Sequence, residues 1–88
     1  MYNLEIKPSC QKEIEKLCKK NSLLKDIIEK KIKEILQNPQ HYKPLMYGLA
    51  GEKRVHIMKS FVLKFEVHET RQTVELIFFG PHDEAYRR

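Results

Sequence analysis

The sequence predicts an α+β fold in the order β-α-α-β-β-β, with a helical hairpin packed on one face of an antiparallel sheet. Three observations predict it. Apolar residues alternate with polar ones at the N-terminus, recur at helical spacing between residues 9 and 37, and alternate again after residue 53. Pro8 and the pair Asn38-Pro39 stand at the two changes of period. Only short polar turns divide the last extended stretches, as in a meander whose apolar side the helices must cover. The 88 residues are read as one domain over residues 1–88. A chain of this size buries roughly 60–65% of its unfolded surface, which allows one small core and an open groove rather than a deep pocket.

The first strand takes its period from Tyr2, Leu4 and Ile6, set against Asn3, Glu5 and Lys7. Pro8 ends it and suits the first turn of a helix. Cys10, Ile14, Leu17 and Cys18 then form a helical stripe. Asn21 and Ser22 interrupt that stripe, and either can cap the next helix. The second helix turns Leu24, Ile27, Ile28, Ile32, Ile35 and Leu36 inward and leaves Lys25, Asp26, Glu29, Lys30, Lys33 and Glu34 outside. Residues 39 to 52, with Pro39, Pro44, Gly48 and Gly51, read as a loop holding at most one helical turn. Beyond it, Val55 and Ile57 alternate with Arg54, His56 and Met58. Phe61, Leu63, Phe65 and Val67 alternate with Val62, Lys64, Glu66 and His68. Val74, Leu76 and Phe78 complete the inner face of the last strand, and Gly80-Pro81 stop the sheet.

Lys and Arg number 17 against 12 Asp and Glu, a formal charge of +5. That excess favours a polyanionic partner: RNA, DNA or an acidic protein segment. Cys10 and Cys18 on one helix stand about 12 Å apart, beyond the roughly 7 Å that a disulfide spans. They read as reduced core residues of a cytoplasmic protein. No apolar run approaches the ~20 residues of a membrane span, and no signal-peptide core is seen. The His and acidic residues lack the sequence spacing of a metal site, so neither a metal nor another cofactor is expected.

Chemistry concentrates after the apolar strand VELIFF, in GPHDEAYRR: His82, Asp83, Glu84, Tyr86, Arg87 and Arg88. The sheet face away from the helices collects Arg54, His56, Lys64 and Glu66, so that a basic groove borders this segment. Cleavage of RNA by the ribose 2′-OH needs a base for the 2′ proton, an acid for the leaving 5′ oxygen, and cations for the charge on phosphorus. His82 leads as acid or base, because an unperturbed imidazole titrates at about 6.5; His56, Tyr86 and Glu84 are the alternatives. Arg54, Lys64, Arg87 and Arg88 can grip phosphate, with Lys53 and Lys59 beside them. His41 and His68 read as surface residues, while Tyr42 and Tyr47 either pack under the loop or stack on a base.

Three stretches together resemble the RelE/ParE superfamily of toxin–antitoxin toxins, in its RelE-like mRNA-cleaving branch. They are the hairpin ending in LQNP, LMYGLAGEKRVHI followed by FVLKFEV, and IFFGPHDEAYRR. The second is similar to the family's L-x-G-x(n)-R-[IV] strand, and the third to its terminal H-[RK]-x-x-[VA]-Y pattern. Coverage is essentially the whole chain, and the order of short motifs carries the resemblance. It implies that His82 acts on the scissile phosphate and that Tyr86 serves catalysis or base stacking. It also places Arg54 and His56 where some members have paired lysines. Val62 departs from the pattern, standing where active relatives usually have Arg. A Val cannot stabilise transition-state charge, and losing one such donor costs on the order of 10²–10³ in rate. Lys64, two residues along on the same face, is the candidate substitute. Asp83 stands where a basic residue is common.

The resemblance further implies a metal-independent endoribonuclease that cuts mRNA on the ribosome. It implies a cognate antitoxin that covers or distorts the groove, with operator DNA bound only through the antitoxin complex and no membrane partner. Two alternatives stay open. A ParE-like inhibitor of DNA gyrase shares the fold and acts by binding alone. An eroded toxin that only binds RNA or protein is the reading Val62 favours.

Overall fold

The computed structural model of the chain describes residues 1–42 and 52–85. Strand β1 (Asn3–Ile6), helices α1 (Pro8–Lys19) and α2 (Ser22–Gln37), and strands β2 (Glu52–Ile57), β3 (Phe61–His68) and β4 (Thr73–Pro81) follow in the expected order. One further turn, α3 (His82–Ala85), succeeds β4. Single 3-10 turns occupy Pro39–His41 and Glu69–Arg71. The remainder of the expected loop, with Pro44, Tyr47, Gly48 and Gly51, lies outside the described residues.

Local chemistry sets the helix ends. Pro8 lies in the first turn of α1, where its missing N–H has no helical partner to lose. Asn21, rather than Ser22, caps α2, its Oδ1 accepting from the Leu24 N–H at 3.1 Å. The helix stops at Asn38, because the Pro39 ring disfavours helical backbone in the residue before it.

The sheet order is β1-β4-β3-β2. The meander is antiparallel as expected, but β1 runs parallel to β4, with Leu4 beside Val74 and Ile6 beside Leu76. The sheet is therefore mixed, not wholly antiparallel. The hairpin is the reason. The Tyr2 N–H donates to the Leu36 carbonyl at 3.0 Å, so α2 returns the chain to the end of the sheet where β1 begins. β2 starts from that same end, β3 comes back, and β4 again runs with β1.

Two further expectations change. The β3–β4 pairing shifts between Lys64 and Phe65: Phe65 faces Leu76, Lys64 faces Phe78, and Ile77 is the extra residue of a bulge. Alternation changes phase there. Phe79, only 1% exposed, continues the core face after Leu76, and Phe78 turns to the other side. Nor do Gly80 and Pro81 stop the sheet, since they pair with Val62 and Phe61. β1 reaches only to Leu76 on the other side of β4, so Pro81 sits on a stretch with one uncovered edge.

The core between the hairpin and the sheet joins Cys10, Leu24, Ile28 and Ile35 of the helices to Ile57, Leu63, Phe65, Val74, Leu76 and Phe79. Each large apolar side chain buried there contributes roughly 1.5–3 kcal/mol. Cys10 and Cys18 are both free thiols, as expected. Burial pushes the Cys10 thiol up to about 11. The half-buried Cys18 is raised chiefly by burial, with Lys25 opposing and Glu29 adding to the rise. Because the thiolate is the nucleophile, iodoacetamide at about pH 8 should label Cys18 of the native protein and spare Cys10 until the chain unfolds. Mass mapping of labelled peptides checks this, and equal labelling would mean that α1 opens readily.

Candidate active site

On the sheet face away from the helices, register sorts the side chains into rows. Glu5, Glu75, Glu66 and Glu52 oppose one another across all four strands. The next row holds Phe78, Lys64 and Arg54, and the one after it Gly80, Val62 and His56. Charge is thus segregated along the strands, with an acidic row, then a basic row, then an imidazole. Lys64 Nζ stands 5.4 Å from the Phe78 ring centroid, close enough for a cation–π contact.

The segment after β4 completes the site. α3 lies against β3 and β4. The His82 N–H donates to the Ser60 carbonyl at 2.8 Å, which pins the start of α3 to the β2–β3 turn. The His82 ring then stacks on that of His56, with centroids 5.4 Å apart and planes inclined by 22°. Together with Lys59, Ser60, Pro81 and Asp83 they line an open depression of about 440 Å³. His82 Nδ1 lies 4.0 Å from Asp83 Oδ1; that carboxylate is fully exposed, so water screens it. Val62, in the same row as His56, is completely buried.

The turn that offers the Ser60 carbonyl runs against local preference. Met58 and Lys59 have φ of 55° and 66°, in the left-handed region, and neither is Gly or Asn. Such backbone costs about 1–2 kcal/mol per residue. Strain of this kind persists only where surrounding contacts over-determine it, and here it borders the imidazole pair.

Of the residues expected to act, Arg54, His56, Lys64 and His82 lie on this face, and Lys59 joins the two imidazoles at the depression. Lys53 does not. Strand alternation sends it to the helix side, opposite to Arg54. There it is 8% exposed and its Nζ donates to the Tyr42 carbonyl at 2.8 Å. It anchors the chain between α2 and β2 instead of gripping phosphate. Tyr42 packs edge-on against Phe65. Tyr86, Arg87 and Arg88 lie outside the described residues, and the Glu84 side chain is likewise not described.

Two features do not show in the alternation of the residues. The bulge takes Phe78 off the core face, where plain alternation would put it. His68 is not a plain surface residue: its Nε2 lies 3.0 Å from Glu75 Oε1 and 4.0 Å from Glu66 Oε2. Glu66-x-His68 on one strand was a readable signal, but Glu75 joins it only through the strand register.

The family described as the ParE toxin of type II toxin–antitoxin systems, parDE, matches residues 4–86. The chain belongs to the RelE/ParE superfamily of type II toxin–antitoxin toxins. A Methanocaldococcus jannaschii protein that carries the toxin name RelE4 is 48% identical over 88 residues, covering 100% of this chain and 94% of the relative. An uncharacterized Methanosarcina mazei protein is 43% identical over 86 residues, covering 98% and 100%. A chain of the intact E. coli RelBE toxin–antitoxin complex superposes with a TM-score of 0.78 over 92% of this chain and 96% of its own. Its identity is 24%, so that likeness is one of fold. In this RelE/ParE toxin, Met58→Asn should relieve the left-handed strain and stabilise the protein by about 1 kcal/mol. For a chain of this size that is a rise of roughly 4–8 °C in Tm. A thermal melt checks it, and an unchanged or lower Tm would show that the turn is not strained.

Proposed function

We propose that this toxin is a ribosome-dependent mRNA endoribonuclease whose cut needs no metal. The observation that supports it is the stacked pair His56–His82 beside the basic row of Arg54 and Lys64. Two groups able to exchange protons next to two phosphate grips are what strand cleavage by the 2′-OH requires. A protein acting by binding alone has no need of them.

In this reading the scissile phosphate lies against Arg54 and Lys64, the first holding it with a planar fork and the second as a point charge. Neutral His56 takes the 2′ proton, the 2′ oxygen attacks phosphorus, and the P–O5′ bond breaks. Protonated His82 gives its proton to the leaving 5′ oxygen, so the products are a 2′,3′-cyclic phosphate and a 5′-OH. Arg54 and Lys64 stabilise the charge that builds on the phosphorane, and Lys64 takes over the part of the Arg that Val62 replaces. Tyr86 assists, and Lys59, Arg87 and Arg88 hold flanking phosphates.

Among the described residues no helix is long and apolar enough to cross a membrane. The partners in this reading are cytoplasmic: mRNA on the ribosome, and a cognate antitoxin that lays an acidic or apolar segment over Arg54 and Lys64. Operator DNA is met only through the antitoxin complex. Two observations favour a second reading: the matching family is described by ParE, and Val62 leaves the usual Arg position without a cation. That reading is a ParE-like inhibitor of DNA gyrase.

Induced expression with primer extension on a translated reporter mRNA separates them. The expected result is codon-phased cuts that fall by about 10²–10⁴-fold in His82→Ala or His56→Ala. Growth arrest without cuts would select gyrase inhibition, and no arrest at all an eroded binding module. A folded, fully active double variant would remove the imidazole pair from the mechanism. Lys64→Ala should lower cleavage by about 10²–10³; full activity there would show that Val62 needs no substitute.

A further inference from the structure

We infer that Glu66, His68 and Glu75 form a divalent-cation site of the zinc type on the open face of the sheet, separate from the imidazole pair. Glu66 and His68 are two residues apart on β3 and so share a face. The register sets Glu75 of β4 directly opposite Glu66. One ligating atom from each, two carboxylate oxygens and an imidazole nitrogen, lie within 4.8 Å of one another. Ligands on a tetrahedral zinc with bonds of about 2.1 Å are roughly 3.4 Å apart. His68 Nε2 and Glu75 Oε1, at 3.0 Å, are near that spacing already. Glu66 Oε2, at 4.0 Å from the same nitrogen, needs only a modest side-chain rotation.

The donor set suits this ion. Imidazole nitrogen and carboxylate oxygen are both zinc ligands, and water supplies the fourth position of an open site. The side chains of Glu66, His68 and Glu75 are 32%, 28% and 23% exposed, so solvent reaches them without surrounding them. They stand on the two central strands, whose pairing holds the ligands in place before any ion arrives.

Electrostatics supplies an independent reason. Like charges directly opposite one another destabilise a sheet, and Glu5, Glu75, Glu66 and Glu52 form an unbroken acidic row. At one end Arg71 Nη1 meets Glu5 Oε2 at 3.3 Å. In the centre Glu66 and Glu75 share His68, which offers one positive charge and only when protonated. A dication there offsets both carboxylates at once, with the imidazole neutral as a ligand. Along β3 the site is four residues from Val62, whose row holds His56, or roughly 13 Å at the rise of a strand. Its ion therefore takes no part in the proton transfers. If the RNA-cleaving reading holds, the ion also removes the negative border of the Arg54–Lys64 row and widens the surface open to a phosphate backbone.

Calorimetric titration of ZnCl2 into the reduced, full chain at about pH 7.5 tests this. The expected result is one saturable site, with a zinc-dependent rise in Tm. His68→Ala and the near-isosteric Glu75→Gln should each bind at least tenfold more weakly, with circular dichroism confirming that both are folded. The His56→Ala/His82→Ala double variant should bind as wild type does. No saturable binding, undiminished affinity in both ligand variants, or loss of binding in the double variant would each overturn the site. The readout is heat of binding, so it is decided apart from whether the toxin cuts RNA.

Discussion

The pairing of β3 with β4, with its one-residue shift at Ile77, is the constraint on which the rest of the molecule depends. Below the shift it puts Phe65 beside Leu76, and above it Phe79 beside Leu63, so the core face stays apolar through a change of phase. On the other face the same shift brings Phe78 next to Lys64 and Gly80 next to Val62. Without the bulge, Phe79 would face water and Phe78 would enter the core, and the end of β4 would reach Ser60 out of step. A slip of one residue exchanges the two faces of a strand. Here the slip is confined to one site, and the sheet turns it to use.

The helical hairpin closes the other side and settles direction. Because α2 ends where β1 begins, β2 sets out in the direction of β1, β3 reverses it and β4 restores it, and the two neighbouring strands become parallel. One face of the sheet is then fully occupied by the hairpin. The other is left open, and there register sorts the charges: glutamates in one row, Arg54 and Lys64 in the next, imidazole beyond. A polyanion laid over this surface is attracted along one row and repelled along its neighbour, which fixes the line it follows rather than simply holding it. The adjacent pair Lys53 and Arg54 shows how strictly alternation divides these roles. One cation is buried as an anchor for the Tyr42 carbonyl, and the other is exposed in the groove.

Much of this was legible in the residues. The period of Tyr2-Leu4-Ile6, the cap within Asn21-Ser22, the stop at Asn38-Pro39 and the alternation through β2 and β3 each have a local cause, and each stands where the sequence puts it. So do Arg54, His56 and Lys64 on one face, because a strand's alternation is short-range information. What was not legible depends on contacts between distant segments. Direction of β1 follows from where α2 ends. The bulge in β4 falls in VELIFF, where every residue from Leu76 to Phe79 is apolar and no polar marker shows the change of phase. Pro81 looked like a terminator because the uncovered edge beside it is a property of the length of β1. The cluster of Glu66, His68 and Glu75 needs the register as well as the sequence. The segment with Tyr86, Arg87 and Arg88 stands on the family resemblance.

The two imidazoles reach the same depression by unequal means. His56 is carried by a strand whose both neighbours in sequence are paired, and its position is as firm as the sheet. His82 sits on a four-residue helix fastened to the β2–β3 turn through the Ser60 carbonyl. A single backbone hydrogen bond contributes about 0.5–1.5 kcal/mol net, no more than the left-handed backbone of Met58 or Lys59 costs. That bond alone cannot sustain the turn. The pairs Ile57–Phe61 and Phe61–Pro81 on either side must share the load, and they do so only while β4 extends through Gly80 and Pro81. Continuing the sheet past the expected stop is therefore what holds His82 against His56. The same Gly-Pro pair that seemed to end the fold delivers the second imidazole of the depression.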